Sequence, residues 1–152
     1  MSIFHRSHPE DAGAVSGAPN LPEGFTDTFT SRHIDTGEVR LHAVIGGDGP
    51  PLLLVHGWPE TWYAWRHLMP ALARDFEVIA VDQRGMGLSD KRDGGYDTGT
   101  QARDLIGLMD ALGHERFAVV GHDTGFATVP GDPGIFGRAP GARPGRGAGR
   151  PR

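Results

Sequence analysis

A chain of 152 residues has room for one domain with one modest core. It contains no cysteine, which excludes a disulfide framework and any thiolate zinc site and fits a reducing compartment such as the cytoplasm. A net charge of −4 gives no reason to expect nucleic acid as a partner, and no stretch approaches the roughly 20 apolar residues that span a bilayer.

Residues 1–24 read as a flexible lead-in, punctuated by Gly13, Gly17, Pro19 and Pro22. No apolar run follows His5, Arg6 and His8, so no signal peptide is expected. The globular part is expected over residues 25–129. Phe25 to Ile34 and Glu38 to Ile45 alternate apolar and polar residues around Asp35-Thr36-Gly37, which predicts a hairpin, and GGDGPP (Gly46 to Pro51) is a turn. Then come three short apolar runs: LLLVHG (Leu52 to Gly57), FEVIAVD (Phe76 to Asp82) and FAVVGHD (Phe117 to Asp123). Nearly continuous apolar runs suit strands covered on both faces. Between the first two, Trp62, Trp65, Leu68, Met69 and Leu72 repeat at helical spacing and predict one helix from Glu60 to Arg74. Between the last two, Leu105, Ile106, Leu108, Met109 and Leu112 predict a helix from Thr98 to Leu112, with Thr98 and Gln101 as a capping box and Gly113 as the C-cap. The fold class is therefore α/β, an antiparallel hairpin leading into a mostly parallel sheet flanked by helices.

After Val129 the composition changes abruptly. Residues 130–152 read PGDPGIFGRAPGARPGRGAGRPR, with Gly and Pro at 12 of 23 positions. Arg138, Arg143, Arg146, Arg150 and Arg152 against Asp132 leave +4 there and −8 before it. Such a stretch has almost nothing to bury and reads as a disordered tail. A basic nucleic-acid arm is disfavoured because nothing aromatic or repetitive supports it. The preferred reading is a frameshift product, since GC-rich codons in the wrong frame yield Arg, Pro, Gly and Ala. Resequencing that finds no single-base shift restoring an amphipathic continuation would dispose of it.

In an open parallel sheet, ligands bind at the carboxyl ends of the strands. Here those ends carry His56-Gly57-Trp58-Pro59, Asp82-Gln83-Arg84-Gly85 and Gly121-His122-Asp123-Thr124-Gly125. The last has the shape of a nucleophile elbow, G-x-Nuc-x-G, with Asp in place of Ser. So sharp a turn strains its central residue and needs Gly or a small residue two positions either side, as Gly121 and Gly125 provide. Gly-x-Asp-x-Gly also occurs in plain loops and calcium turns; its place directly after FAVV favours the elbow.

With HGWPETWYAWR (His56 to Arg66), DQRGMGLSD (Asp82 to Asp90) and GHDTG in this order, the chain resembles the epoxide hydrolase and haloalkane dehalogenase branch of the α/β-hydrolase superfamily. The resemblance covers about residues 25–128 and implies the N-terminal part of that fold. It implies Asp123 as a nucleophile that needs no base, because a carboxylate is ionised at neutral pH. Attack on an epoxide or alkyl halide gives an ester, and water then cleaves it at the Asp123 carbonyl. That second step needs an oxyanion hole, whose donors should be the backbone N–H groups of Trp58 and Thr124. His56, Gly57 and Pro59 frame the oxyanion segment. In the family a His–acid pair activates the water and cap-domain tyrosines polarise the epoxide oxygen; both lie beyond the elbow, so this chain by itself is expected not to turn over.

Several residues read as structural. His122 is expected to point away from the nucleophile and pack under the elbow, and His56 to hold the oxyanion loop. His114 reads as solvated; His5, His8, His33, His42 and His67 are scattered without metal spacing, and no cofactor or metal is called for. Gly85 and Gly87 are expected at positive φ, Arg84 paired with Asp82, and Trp62, Tyr63 and Trp65 in helix packing. Trp58 is a candidate to line the pocket as well. Trp58 and Thr124 argue for an epoxide over a halide, because the resemblance puts Asn and Trp there in haloalkane dehalogenases and Arg after the nucleophile in fluoroacetate dehalogenases. Haloalkane or haloacid dehalogenation is the alternative enzyme, and a non-catalytic truncated fragment the alternative of another kind. The sequence leaves the oligomeric state open.

Overall fold

A computed structural model describes residues 13–128. The tail expected over 130–152 lies outside the described residues, as do residues 1–12. Among the described residues five strands form one mixed sheet: β1 (Phe29–Asp35), β2 (Arg40–Gly46), β3 (Pro51–Val55), β4 (Glu77–Val81) and β5 (Ala118–Gly121), in spatial order β1-β2-β4-β3-β5. The first two make the predicted hairpin, with Asp35 opposite Arg40 and the turn closed by Asp35 Oδ1 accepting from the Gly37 N–H at 2.8 Å. β2 runs antiparallel to β4, while β3 lies parallel to both β4 and β5.

The hairpin begins later than its alternation suggests. Phe25–Thr28 is a single helical turn (α1), entered through Gly24 at φ +72°. Phe25 and Phe29, four residues apart, bring their rings to 4.5 Å and are both buried; one helical turn stacks two aromatics that a straight strand would keep on one face but about 13 Å apart.

Both faces of β3 and β4 are covered, which is why they read as continuous apolar runs. On one face Leu53, Val55, Ile79 and Val81 pack against Leu105, Leu108 and Met109 of helix α3 (Thr98–Ala111). On the other, Leu52, Leu54, Val78 and Ala80 meet Phe25, Phe29, Trp62 and Met69. The single helix expected from Glu60 to Arg74 is instead a 3₁₀ turn, Trp62–Trp65, and a short helix α2, Met69–Leu72. Pro70 explains the break: it has no N–H and would clash with the carbonyl four residues back, so it is tolerated only in a first turn.

α3 starts one residue earlier in its capping than expected. Asp97 is the N-cap, its Oδ1 accepting from the Thr100 N–H at 2.8 Å, while Gln101 donates to the Tyr96 carbonyl and not into a capping box. Its end follows the prediction. Gly113 takes φ +81°, its N–H reaches the Asp110 carbonyl, and the His114 N–H reaches that of Met109, the two bonds of a Schellman motif. Residues 13–24, expected to be loose, pack on the sheet: Val15 is buried, and Trp62 Nε1 and the Tyr63 hydroxyl donate to the carbonyls of Gly13 and Pro19. Among the described residues no helix is long and apolar enough to cross a membrane.

Candidate active site

β3 and β5 are neighbours in register, Val55 opposite Gly121, so the segments that leave their carboxyl ends emerge side by side. The His122 N–H extends the ladder to the Val55 carbonyl at 3.1 Å. At the next residue the chain turns: Asp123 takes φ +52°, a conformation few residues without a glycine's freedom adopt. Bonds from Gly125 N–H to the His122 carbonyl and from Phe126 N–H to that of Asp123 then open helix α4 (Thr124–Thr128).

The flanking glycines are demanded by space. A Cβ on Gly121 would sit 2.8 Å from the Gly125 oxygen and the Phe126 Cα, and one on Gly125 would collide with the carbonyl oxygens of Val55 and His56. Gly57 faces the elbow from the other loop, where a Cβ would lie 2.7 Å from the Cβ of Asp123. Sequence spacing identifies the first two; the requirement at Gly57 comes only from the approach of two loops.

Asp123 is exposed, and its carboxylate Oδ2 accepts from the backbone N–H of Trp58 at 3.2 Å. The backbone N–H of Thr124, and then that of Trp58, hold this carboxyl below the usual carboxylate range, with the nearby His122 adding to the effect. Glu60 fixes the loop that carries Trp58: its Oε2 accepts from the Gly57 N–H at 3.0 Å, and Pro59 follows Trp58 through a cis bond. The Trp58 indole itself is 67 % exposed.

His56 is a buried tether. Its Nε2 accepts from the Gln83 N–H at 3.0 Å, so the ring proton sits on Nδ1, facing the Gly57 carbonyl at 2.8 Å. Burial lowers its pKa, and the neutral ring satisfies both contacts. The Gln83 side chain continues the link, donating to the His56 carbonyl at 2.7 Å and accepting from the Thr128 hydroxyl at 2.8 Å. Ends of β3 and β4 and helix α4 are thereby joined beneath the elbow.

Three expectations are corrected. His122 does not pack under the elbow: its side chain is 67 % exposed, with Nδ1 3.6 Å from Glu60 Oε2, and among the described residues β5 is the last strand of the sheet on that side. Arg84 pairs with Asp104 of α3 and not with Asp82. Asp82 instead accepts from His42 Nδ1 and the backbone N–H groups of Trp62 and Leu88, while His42 Nε2 meets the Ser31 hydroxyl at 2.9 Å. His114, expected to be merely solvated, lies 3.1 Å from Glu77. Gly85 and Gly87 do take positive φ, and the tightness at Gly87 comes from the Asp82 carboxylate.

Beside the carboxylate lies a cavity of about 430 Å³, bordered by Trp58 and Thr124 and walled by Met86, Tyr96 and Ala127 among others. Among the described residues no group of three or more acidic or imidazole side chains converges as a metal site.

A family model described as alpha/beta hydrolase fold matches residues 50–128. The chain is 50 % identical over 86 residues to the soluble epoxide hydrolase of Corynebacterium sp. (strain C12), covering 57 % of this chain and 30 % of that protein. It is 42 % identical over 105 residues to the fluoroacetate dehalogenase of Burkholderia sp, covering 66 % and 34 % respectively. Among solved structures, the epoxide hydrolase CorEH without ligand superposes with a TM-score of 0.64 at 44 % identity, over 66 % of this chain and 35 % of that one. The chain thus spans about a third of the length of the relatives it matches.

Proposed function

Because the chain belongs to the α/β-hydrolase fold family, with epoxide hydrolases among its relatives, we propose that it carries the nucleophilic half of an epoxide hydrolase site, with Asp123 as the nucleophile. The observation that carries this reading is a carboxylate held at φ +52° at the end of β5 with a main-chain N–H at 3.2 Å from its Oδ2. In this scheme the other carboxylate oxygen attacks a ring carbon of an epoxide. The carbon–oxygen bond of the ring breaks, the new alkoxide takes a proton from solvent, and a hydroxyalkyl ester remains on Asp123. Oδ2, now the ester carbonyl oxygen, stays against the Trp58 amide, and the Thr124 amide beside the same carboxyl is the second donor for the negative charge that collects when water attacks. His56, Gly57, Pro59, Gly121 and Gly125 serve to hold this geometry, and the substrate is a small molecule, an epoxide or else an alkyl halide.

The first step can be tested on the chain as it stands. Exposure to an aryl epoxide should raise the intact mass by one whole epoxide, at Asp123, and Asp123→Asn should abolish the adduct. No adduct on the unsubstituted protein would refute the assignment. The likeness to fluoroacetate dehalogenase favours a second reading, displacement of halide by the same carboxylate. Halide release from an alkyl halide or haloacid without any adduct from epoxides would establish that alternative.

A further inference from the structure

Part of the cavity wall comes from the loop after β4 and the start of α3, which contribute Gln83, Arg84, Gly85 and Met86, and Tyr96, Thr98 and Gln101. Among the described residues that line it, Arg84 alone carries a charge at neutral pH. That charge is not available to a ligand. Arg84 Nε donates to Asp104 Oδ2 at 2.7 Å and an Nη to Asp104 Oδ1 at 2.8 Å, a two-pronged pair, while the other Nη donates to the Gly94 carbonyl at 3.0 Å. The two side chains are only 9 % and 5 % exposed, so the pair is fixed and its net charge is zero.

The rest of the wall suits apolar matter. Trp58, Met86 and Ala127 offer apolar atoms. Tyr96 lies against Gly85, where an added Cβ would stand 2.6 Å from its ring, and its hydroxyl is spent on the Arg92 carbonyl at 2.6 Å. A carboxylate brought in here would lose water, find the guanidinium already neutralised, and approach Asp123, which its amides keep ionised.

We infer that Asp104 is a specificity-determining residue: by neutralising Arg84 it makes the cavity select an uncharged, aryl-sized substituent and reject a carboxylate. The inference rests on the reading of Asp123 as nucleophile only insofar as the cavity's occupant is called a substrate. At about 430 Å³ the cavity falls within the range of roughly 300–1,000 Å³ usual for small-molecule sites.

The test uses the full, unsubstituted chain and two probes without an electrophilic carbon, so that no covalent step intervenes: 1-phenylethane-1,2-diol and mandelate. They share a phenylcarbinol skeleton and differ in ending as CH₂OH or as carboxylate. Amide shifts of Gly85, Met86 and Thr124 report binding at the cavity. The diol is expected to shift all three, with mandelate about tenfold weaker or more, as an unpartnered carboxylate in an apolar wall requires. Asp104→Asn, which frees the Arg84 fork, should narrow or reverse that ratio by about tenfold. Equal binding of the two probes to the parent, or a ratio unchanged by Asp104→Asn, overturns the inference. Should Asp104→Asn fail to fold, Gln101→Lys places an unpaired ammonium in the same wall; it must raise mandelate relative to the diol, and no change overturns the inference. The mass adduct at Asp123 is read separately on the unsubstituted chain. An adduct without diol binding defeats the selectivity and spares the nucleophile; diol binding without an adduct does the reverse.

Discussion

At Asp123 a strained backbone and a pair of amide donors act on one side chain, and both depend on neighbours having no side chain at all. Gly57→Ala would set a Cβ 2.7 Å from that of Asp123 and 3.0 Å from its Oδ2. The side chain must move by a large part of an ångström, and displacements of that order cost about a hundredfold in rate. The rate of adduct formation by intact mass, with circular dichroism to establish that the fold persists, checks this; an unchanged rate would mean the loop does not set the geometry. The amides also fix a pH dependence. They favour the charged form of Asp123, so its folded-state pKa lies below the ordinary value. Adduct formation should therefore stay level as pH falls to about 4, the usual carboxylate range, and decline only below it. A midpoint above that range would contradict the hydrogen bonding at Trp58 and Thr124.

Which residues were legible follows from how far apart the partners are in the chain. The elbow is a local pattern, five consecutive residues after an apolar strand, and Trp58 is reached because HGWP follows the neighbouring strand. Pairings across long separations leave no such trace. His42 finds Asp82 forty positions away, and Arg84 finds Asp104 twenty positions away, passing over the nearer Asp82. For His122 the reason differs: whether its ring packs depends on what lies beyond the edge of the sheet.

Between elements, the buried side chains after β4 act as fasteners. Asp82 receives N–H groups from β2, from the turn after β3 and from its own loop, and its side chain is 1 % exposed. Asp82→Ala strands those donors without water, at about 1–3 kcal/mol each, and should lower stability by at least about 3 kcal/mol in urea denaturation. A loss under about 1 kcal/mol would show that the surroundings rearrange freely. Gly113→Ala is the contrasting case. Nothing lies within 4 Å of the added Cβ, so only the left-handed backbone at φ +81° resists it. The expected loss is about 1–2 kcal/mol, with adduct formation unaltered. Periodicity located α3, and Gly113 marked its end. Periodicity failed between Glu60 and Arg74, where a helical apolar rhythm runs through Pro70 and the steric veto of one ring outranks the pattern.

On the scale of the whole molecule, β5 closes one side of the sheet, and among the described residues no strand pairs with its outer edge. Val120 and Phe126 are 42 % and 56 % exposed beside it. An apolar edge of this kind invites pairing with other chains. Val120→Lys is expected to reduce concentration-dependent association in size-exclusion chromatography, and no change would show that the edge is not the adhesive surface.

The ladder that sets Val55 opposite Gly121 has a consequence for how the site can fail. Strands slip by whole residues, about 3.3 Å at a time, and one such step carries the Trp58 amide out of reach of Asp123. There is no half-engaged state between those positions. Damage to the sheet should therefore thin the population of competent molecules and leave each survivor at full speed, visible as a smaller adduct amplitude with an unaltered time constant.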